Sequence, residues 1–269
     1  MVKQMEDFLE EVTLDDVSSH IYELYSHPNE HDLGIQSRTS MVKVTIDDVD
    51  REFEFQQSLS SLNQQGSTTG FVLWSVSIPF VGWILDDKLS PYDLRGKTVV
   101  ELGSGVTGLL SCALGPSCKH YISTDQHHIL KLLKQNICSN LCDFASSTMH
   151  IPSNGGKLKG TVDVVELDWE DLDSGVWNLQ QVCSLDSIDY IVACDVVYND
   201  YLIPFLVDAI ARLCHQTSTV LIALQLRLPE NIEQFVEQVL TRGLRIWRHL
   251  EHCLVPELRE GFVIYRITR

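Results

Sequence analysis

Val99-Val100-Glu101-Leu102-Gly103-Ser104-Gly105-Val106-Thr107-Gly108 is the stretch on which the reading of this chain turns. Residues 98–102 form a short apolar run ending at a glycine, the pattern of a strand buried on both faces. Gly103, Gly105 and Gly108 then fit G-x-G-x-x-G and lead into a helix predicted over 106–114. Glycines at these places allow a tight turn and a close approach of the backbone to a nucleotide-like ligand.

Outward from this loop the chain alternates between two periods. Strands are expected at 121–124, 162–167, 188–194 and 219–226, and helices at 128–140, 202–214 and 230–242. Such alternation implies an α/β fold with a mostly parallel sheet and helices on both faces. Residues 244–249 and 262–267 lack a helix-length insert between them and are expected as an antiparallel pair at one edge, making seven strands. Residues 70–269 would form this domain. Residues 1–69 read as an N-terminal appendage: a short helix at 17–25, then a β-hairpin of 41–46 and 51–56 closed by Asp47-Asp48-Val49-Asp50. A polar loop at 59–69 leads to a buried helix at 71–85, despite Pro79. Residues 146–160, rich in Ser, Gly and Lys, read as an exposed insertion.

Composition narrows the classes of function. Hydrophobic residues make up 44% of the 269, which suits a folded core. The apolar runs are far too short to span a bilayer, and no basic-then-apolar segment opens the chain. The eight cysteines form no C-x-x-C pair, as expected for reduced thiols in the cytoplasm or nucleus. A net charge of −17 repels phosphate backbones and favours a basic protein partner over nucleic acid. His27 and His31 are spaced to share a metal on a helix, but Pro28 breaks that helix, and no metal site is expected. Nothing demands more than a monomer.

A dinucleotide and a methyl donor both suit the glycine loop, and both suit Asp125, placed at the end of the next strand to accept ribose hydroxyls. Glu101 separates them. It lies two residues before the first glycine, where it would repel a pyrophosphate. S-Adenosylmethionine instead brings an ammonium and a sulfonium. At about 4 Å and an effective dielectric near 20, one such charge pair is worth roughly 4 kcal/mol before desolvation. Three further segments reach the same edge. Asp168 and Trp169 end the third strand, suited to the adenine amino group and ring. Ala193 is small where a nucleoside would pass, with Asp195 and Tyr198 following it. Trp74 precedes the sheet and can close the methionine end.

Gly70 to Trp74, Glu101-Leu102-Gly103-Ser104-Gly105, Asp125, Leu167-Asp168-Trp169 and Ala193-Cys194-Asp195-Val196-Val197-Tyr198 occur in an order that resembles the methyltransferase-like 21 family. These are seven-strand, Rossmann-like (class I) protein-lysine methyltransferases. The lead-in Thr68-Thr69-Gly70 and the hairpin before it point to its fungal members acting on ribosomal proteins. The resemblance covers residues 41–269. It implies that Trp74, Gly103, Ser104, Gly105, Asp125, Trp169 and Ala193 contact the cofactor, with Asp195 and Tyr198 shaping a substrate-lysine channel. The lysine must attack as a neutral amine, and an apolar channel beside a sulfonium lowers its pKa. Asp195 would orient that amine. A protein-histidine or small-molecule amine methyltransferase, or a non-catalytic binding module, shares the same fold. DNA-amino methyltransferases carry prolines after the fourth strand, where this chain has Val196-Val197.

Overall fold

The computed structural model describes residues 7–26, 34–59, 70–141 and 160–269. The expected loop at 59–69 beyond its first residue, the histidine pair at 27–31 and nearly all of the expected insertion lie outside the described residues.

Ten strands and seven α-helices are formed among the described residues. The first segments are β1 (Leu9–Val12), α1 (Val17–Leu24), β2 (Met41–Ile46), β3 (Arg51–Gln56) and α2 (Ser77–Leu85). Then come β4 (Thr98–Leu102), α3 (Leu109–Leu114), β5 (His120–Asp125), α4 (His127–Asn140), β6 (Thr161–Glu166), α5 (Leu172–Gln180) and β7 (Tyr190–Cys194). The chain closes with α6 (Ile203–Leu213), β8 (Thr219–Gln225), α7 (Pro229–Thr241), β9 (Arg245–His249) and β10 (Phe262–Thr268).

The main sheet runs β1-β9-β10-β8-β7-β4-β5-β6. Its five strands β4 to β8 are parallel, and β9 and β10 form the expected antiparallel pair. The central strands are apolar on both faces because each face is covered. One core holds Val99, Val192 and Cys194 with α2, α3 and α4; the other holds Val100, Leu102 and Ala193 with α5, α6 and α7. Helices α6 and α7 each carry proline in the first turn, where no intrahelical N–H is needed. The chain leaves β4 toward β5 on one side and returns through β7 on the other. That reversal opens a crevice at the carboxyl ends of β4 and β7.

The sheet has eight strands, one more than expected. The extra strand is β1, from the acidic N-terminal segment, which pairs antiparallel with β9 from Leu9 opposite His249 to Val12 opposite Ile246. Glu10 and Glu23 hold Arg248, and Glu11 holds Arg245. The acidic residues of this segment thus face arginines, while Val12 enters the core. The hairpin β2–β3 forms over the expected residues, pairing Met41 with Gln56 through Ile46 with Arg51, and Asp50, with φ of +48°, closes the turn. Asn136 and Asn140 of α4 bond the backbone of β3 at Gln56 and Glu54, and Asn136 Nδ2 also donates to Val106 O at 2.7 Å. The hairpin is therefore tied directly to the glycine loop.

Two helices start later than periodicity suggested. Residues 71–76 are not helical, because their backbone is spent on bonds to other segments: Gln36 N to Leu73 O, Ser75 N to Gly34 O, and Ser58 N to Phe71 O. Helix α2 begins at Ser77, so Pro79 falls in its first turn and kinks nothing. Helix α3 begins at Leu109, because Gly108 has φ +60°.

Two buried histidines make the fold acid-sensitive. His20 lies 2.7 Å from the Tyr265 hydroxyl and His249 2.9 Å from that of Tyr92. Burial lowers the His20 pKa to about 4 and that of His249 to about 3. Both lie below the unfolded value near 6.5, so their contribution is complete above that pH and is lost as pH falls toward the folded values. For His249→Leu, urea unfolding should show the deficit relative to the native chain narrowing by about 2 kcal/mol between about pH 6.5 and pH 5. A constant deficit would contradict this.

Candidate active site

A cleft lies at the carboxyl ends of β4 to β7, enclosing about 800 Å³ of space that is continuous with solvent. The glycine loop forms its floor. Gly103 has φ +72°, and a Cβ there would lie 2.9 Å from Val196 Cγ1 and 3.3 Å from Trp169 Cζ2. Gly105 has φ +61° and lies under the Gly70 carbonyl, which accepts a 2.7 Å bond from Val106 N. Only glycine suits both the backbone and the space.

Two carboxylates meet at this floor. Glu101 is buried, and Tyr121 Oη donates to its Oε2 at 3.1 Å. The hydroxyls of Ser104 and Ser123 lie near enough to favour its charged form, although neither reaches hydrogen-bonding geometry. Burial dominates and raises its pKa to about 7, with Asp125 nearby adding to the rise. Asp125 accepts from Gly105 N at 2.8 Å and Gln126 N at 2.7 Å. Burial outweighs these bonds and raises its pKa to about 6. Two carboxylates whose charged forms are both disfavoured by burial leave the site short of positive charge. Ser104 Oγ and Gln126 Oε1 both belong to residues lining the cleft, and both are buried without a partner.

The walls carry most of the expected residues. Asp168 accepts from Gln126 Nε2 at 3.0 Å and from Glu170 N at 3.0 Å, which fixes its carboxylate at the rim beside Trp169. Trp74 lines the opposite wall, and the Arg227 guanidinium stacks 5.2 Å from the centre of its ring. Tyr198, half-buried, stands at the mouth. Asp195 also lines the cleft, but its carboxylate is gripped by Arg227, with Nη1 donating to Oδ1 at 2.7 Å and Nη2 to Oδ2 at 2.6 Å.

One expectation changes. Ala193 is fully buried in the core on the far side of the sheet, with Val100 and Leu102. Side chains alternate along a strand, so the next residue, Cys194, lines the cleft instead, its Sγ 3.4 Å from Ser77 Oγ. Among the contributors not anticipated are Ser77, Gln126 and Cys194 in the lining, and Arg227 behind Asp195. Gln126 follows Asp125 directly, so its position at the strand end was available as a signal. Arg227 had no local signal.

An open α/β sheet ordered in this way, with a glycine loop and a cation-seeking crevice at its switch point, defines a Rossmann-like methyltransferase. The chain belongs to the lysine methyltransferase family, whose family model matches residues 54–242. Ribosomal lysine N-methyltransferase 5 of Zygosaccharomyces rouxii is 33% identical over 245 residues, covering 72% of this chain and 77% of that protein. The protein of the same name from Lachancea thermotolerans is 30% identical, covering 94% and 96%. A diaminohydroxyphosphoribosylamino-pyrimidine deaminase of Schizosaccharomyces pombe is 29% identical, covering 87% of this chain and 53% of that protein. Among solved structures, SMU.776 complexed with SAH shares the fold, with a TM-score of 0.51 at 12% identity, covering 87% of this chain and 57% of that one.

Proposed function

We propose that the chain transfers a methyl group from S-adenosylmethionine to a lysine of a basic translation component, a ribosomal protein foremost, acting as a monomer in the cytoplasm or nucleus. The observation that carries this reading is the pair Glu101–Asp125, two carboxylates with raised pKa values under a loop that only glycine permits. A ligand with ammonium and sulfonium charges relieves that pair, whereas a pyrophosphate worsens it. The residues present suit the group. Gly103, Ser104 and Gly105 would cradle its amino-acid part, with Glu101 taking the ammonium. Asp125 has lone pairs left for ribose hydroxyls. Asp168 and Trp169 would edge the base, and Trp74 would cover the sulfur end. The names of the Zygosaccharomyces and Lachancea relatives support a ribosomal substrate, and the net charge of −17 supports a basic protein rather than nucleic acid.

When bound, S-adenosylmethionine supplies a methyl carbon already activated by the positive sulfur, which keeps the C–S electron pair as the amine nitrogen bonds to carbon. The protein's tasks are orientation and water exclusion. Val72, Tyr198 and Leu202 add apolar surface to the cleft lining, which disfavours lysine's ammonium form and lowers its pKa from about 10.4. The proton then leaves to water, and Tyr198 guides the side chain. A deaminase reading, prompted by the Schizosaccharomyces relative, lacks the C-x-x-C pair that zinc deaminases use.

Incubation with tritiated S-adenosylmethionine and a lysate lacking this methylation should label one basic protein, with the label on lysine after peptide mapping. Label on histidine, or only on small molecules, would overturn the lysine assignment.

A further inference from the structure

Asp195 is held in an unusual way. It is one of two described non-glycine residues with positive φ, at +57°, in the left-handed region that few side-chain-bearing residues adopt. Its carboxylate is nearly removed from water, with 2% of the side chain exposed. Both its oxygens lie in the fork of Arg227, and Gln225 N adds a longer contact at 3.4 Å. The same guanidinium donates to Gln225 Oε1 at 2.8 Å and covers the Trp74 ring. Arg227 therefore joins the β7 end to the Trp74 segment across the cleft mouth. Other ionisable groups surround the pair. Cys194 lies near both Asp195 and Glu101; Tyr25 lies near both Arg227 and Glu230; Tyr198 follows on the same loop.

A bare carboxylate at this position would work against the reaction. It would hold the incoming lysine as an ammonium, which cannot attack, and would favour the positive sulfonium over the neutral thioether product. Paired bidentately, the carboxylate is neutralised while retaining lone pairs that can orient an amine. We propose that Arg227 is a positioning residue that keeps the mouth of the cleft electrically neutral, so that lysine arrives as the free amine and the ground-state sulfonium is not over-stabilised. This rests on the methyl-donor reading of the cleft.

The test compares the affinities of S-adenosylmethionine and S-adenosylhomocysteine, which differ by the methyl group and one positive charge, measured by calorimetry. Arg227→Met leaves Asp195 uncompensated, and the preference for S-adenosylmethionine should rise about five- to tenfold. Asp195→Asn leaves Arg227 uncompensated, and the preference should fall by a similar factor. The double variant should return to within about twofold of the native ratio. A purely structural role predicts losses that hit both ligands alike, so an unchanged ratio, or shifts of the same sign in both single variants, would overturn the proposal. If Arg227→Met does not fold, Asp195→Asn still carries the test through the sign of its shift. Should neither ligand bind the native chain, the methyl-donor reading fails. If both bind and only the ratios stay flat, the fault lies with the role of Arg227.

Discussion

Glu101→Gln is expected to make the ligand-free protein more stable and at the same time nearly unable to bind S-adenosylmethionine. In the native chain Glu101 has a folded pKa of about 7 against an ordinary 4.5. A carboxyl with a raised folded pKa contributes stability that is complete below its unfolded pKa and is lost as pH rises through the folded value. Above about pH 8 the native fold therefore holds a buried charge at a cost of a few kcal/mol, which the amide does not carry. The melting temperature of the variant should exceed the native one at about pH 8, and the two should converge near about pH 5. Ligand affinity should fall about 100-fold, the loss usual for one charge-assisted bond in a desolvated site. The native protein should also bind more tightly by about tenfold as pH rises from about 5.5 to 7, with protons released, because the charged carboxylate is the binding form. Asp125, with its pKa near 6, acts in the same direction. Binding should flatten above about pH 8, where the α-ammonium of the ligand itself titrates. If the variant is less stable at high pH, or binds as tightly as the native chain, Glu101 has another role.

Gly103→Ala should remove cofactor binding by at least about 100-fold. The new methyl would meet Val196 Cγ1 at 2.9 Å and Trp169 Cζ2 at 3.3 Å, at a φ of +72°. The left-handed backbone alone costs roughly 1–2 kcal/mol for alanine, and displacing Val196 or Trp169 disturbs the wall on which the base would lie. Gly243→Ala is the matched control. Its φ is +75°, and nothing stands within 4 Å of the added Cβ. Both variants should lose a similar amount of stability through the backbone, but only Gly103→Ala should lose ligand affinity in calorimetry. Equal affinities would mean that Val196 and Trp169 move aside freely.

The legible part of this molecule was the local part. Strands β4 to β10 and the hairpin are short apolar or alternating runs bounded by turn residues, and their periods survive packing. The late starts of α2 and α3 were less legible: residues 71–76 are apolar enough for a helix, but Ser75 N donates to Gly34 O while the carbonyls of Leu73 and Phe71 accept from Gln36 N and Ser58 N. Helix α5, Leu172–Gln180, was not expected at all, since its apolar residues form only a narrow stripe with Val176 and Leu179 buried. At the site, a one-residue parity decided Ala193 against Cys194.

By itself, the sequence determined the cofactor loop, the alternation that builds the sheet, and the sign of charge the cleft would seek. Each of these is set by neighbours within a few residues. Tertiary structure alone decided that the acidic N-terminal segment becomes a strand beside β9, with Glu11 opposite Trp247. It also decided that Glu101 is buried beneath the cleft near Asp125, and that Asp195 is answered by Arg227, 32 residues further along. Burial and electrostatic potential are sums over groups brought together from distant parts of the chain. A residue's type can announce a charge, but only the fold determines what that charge faces.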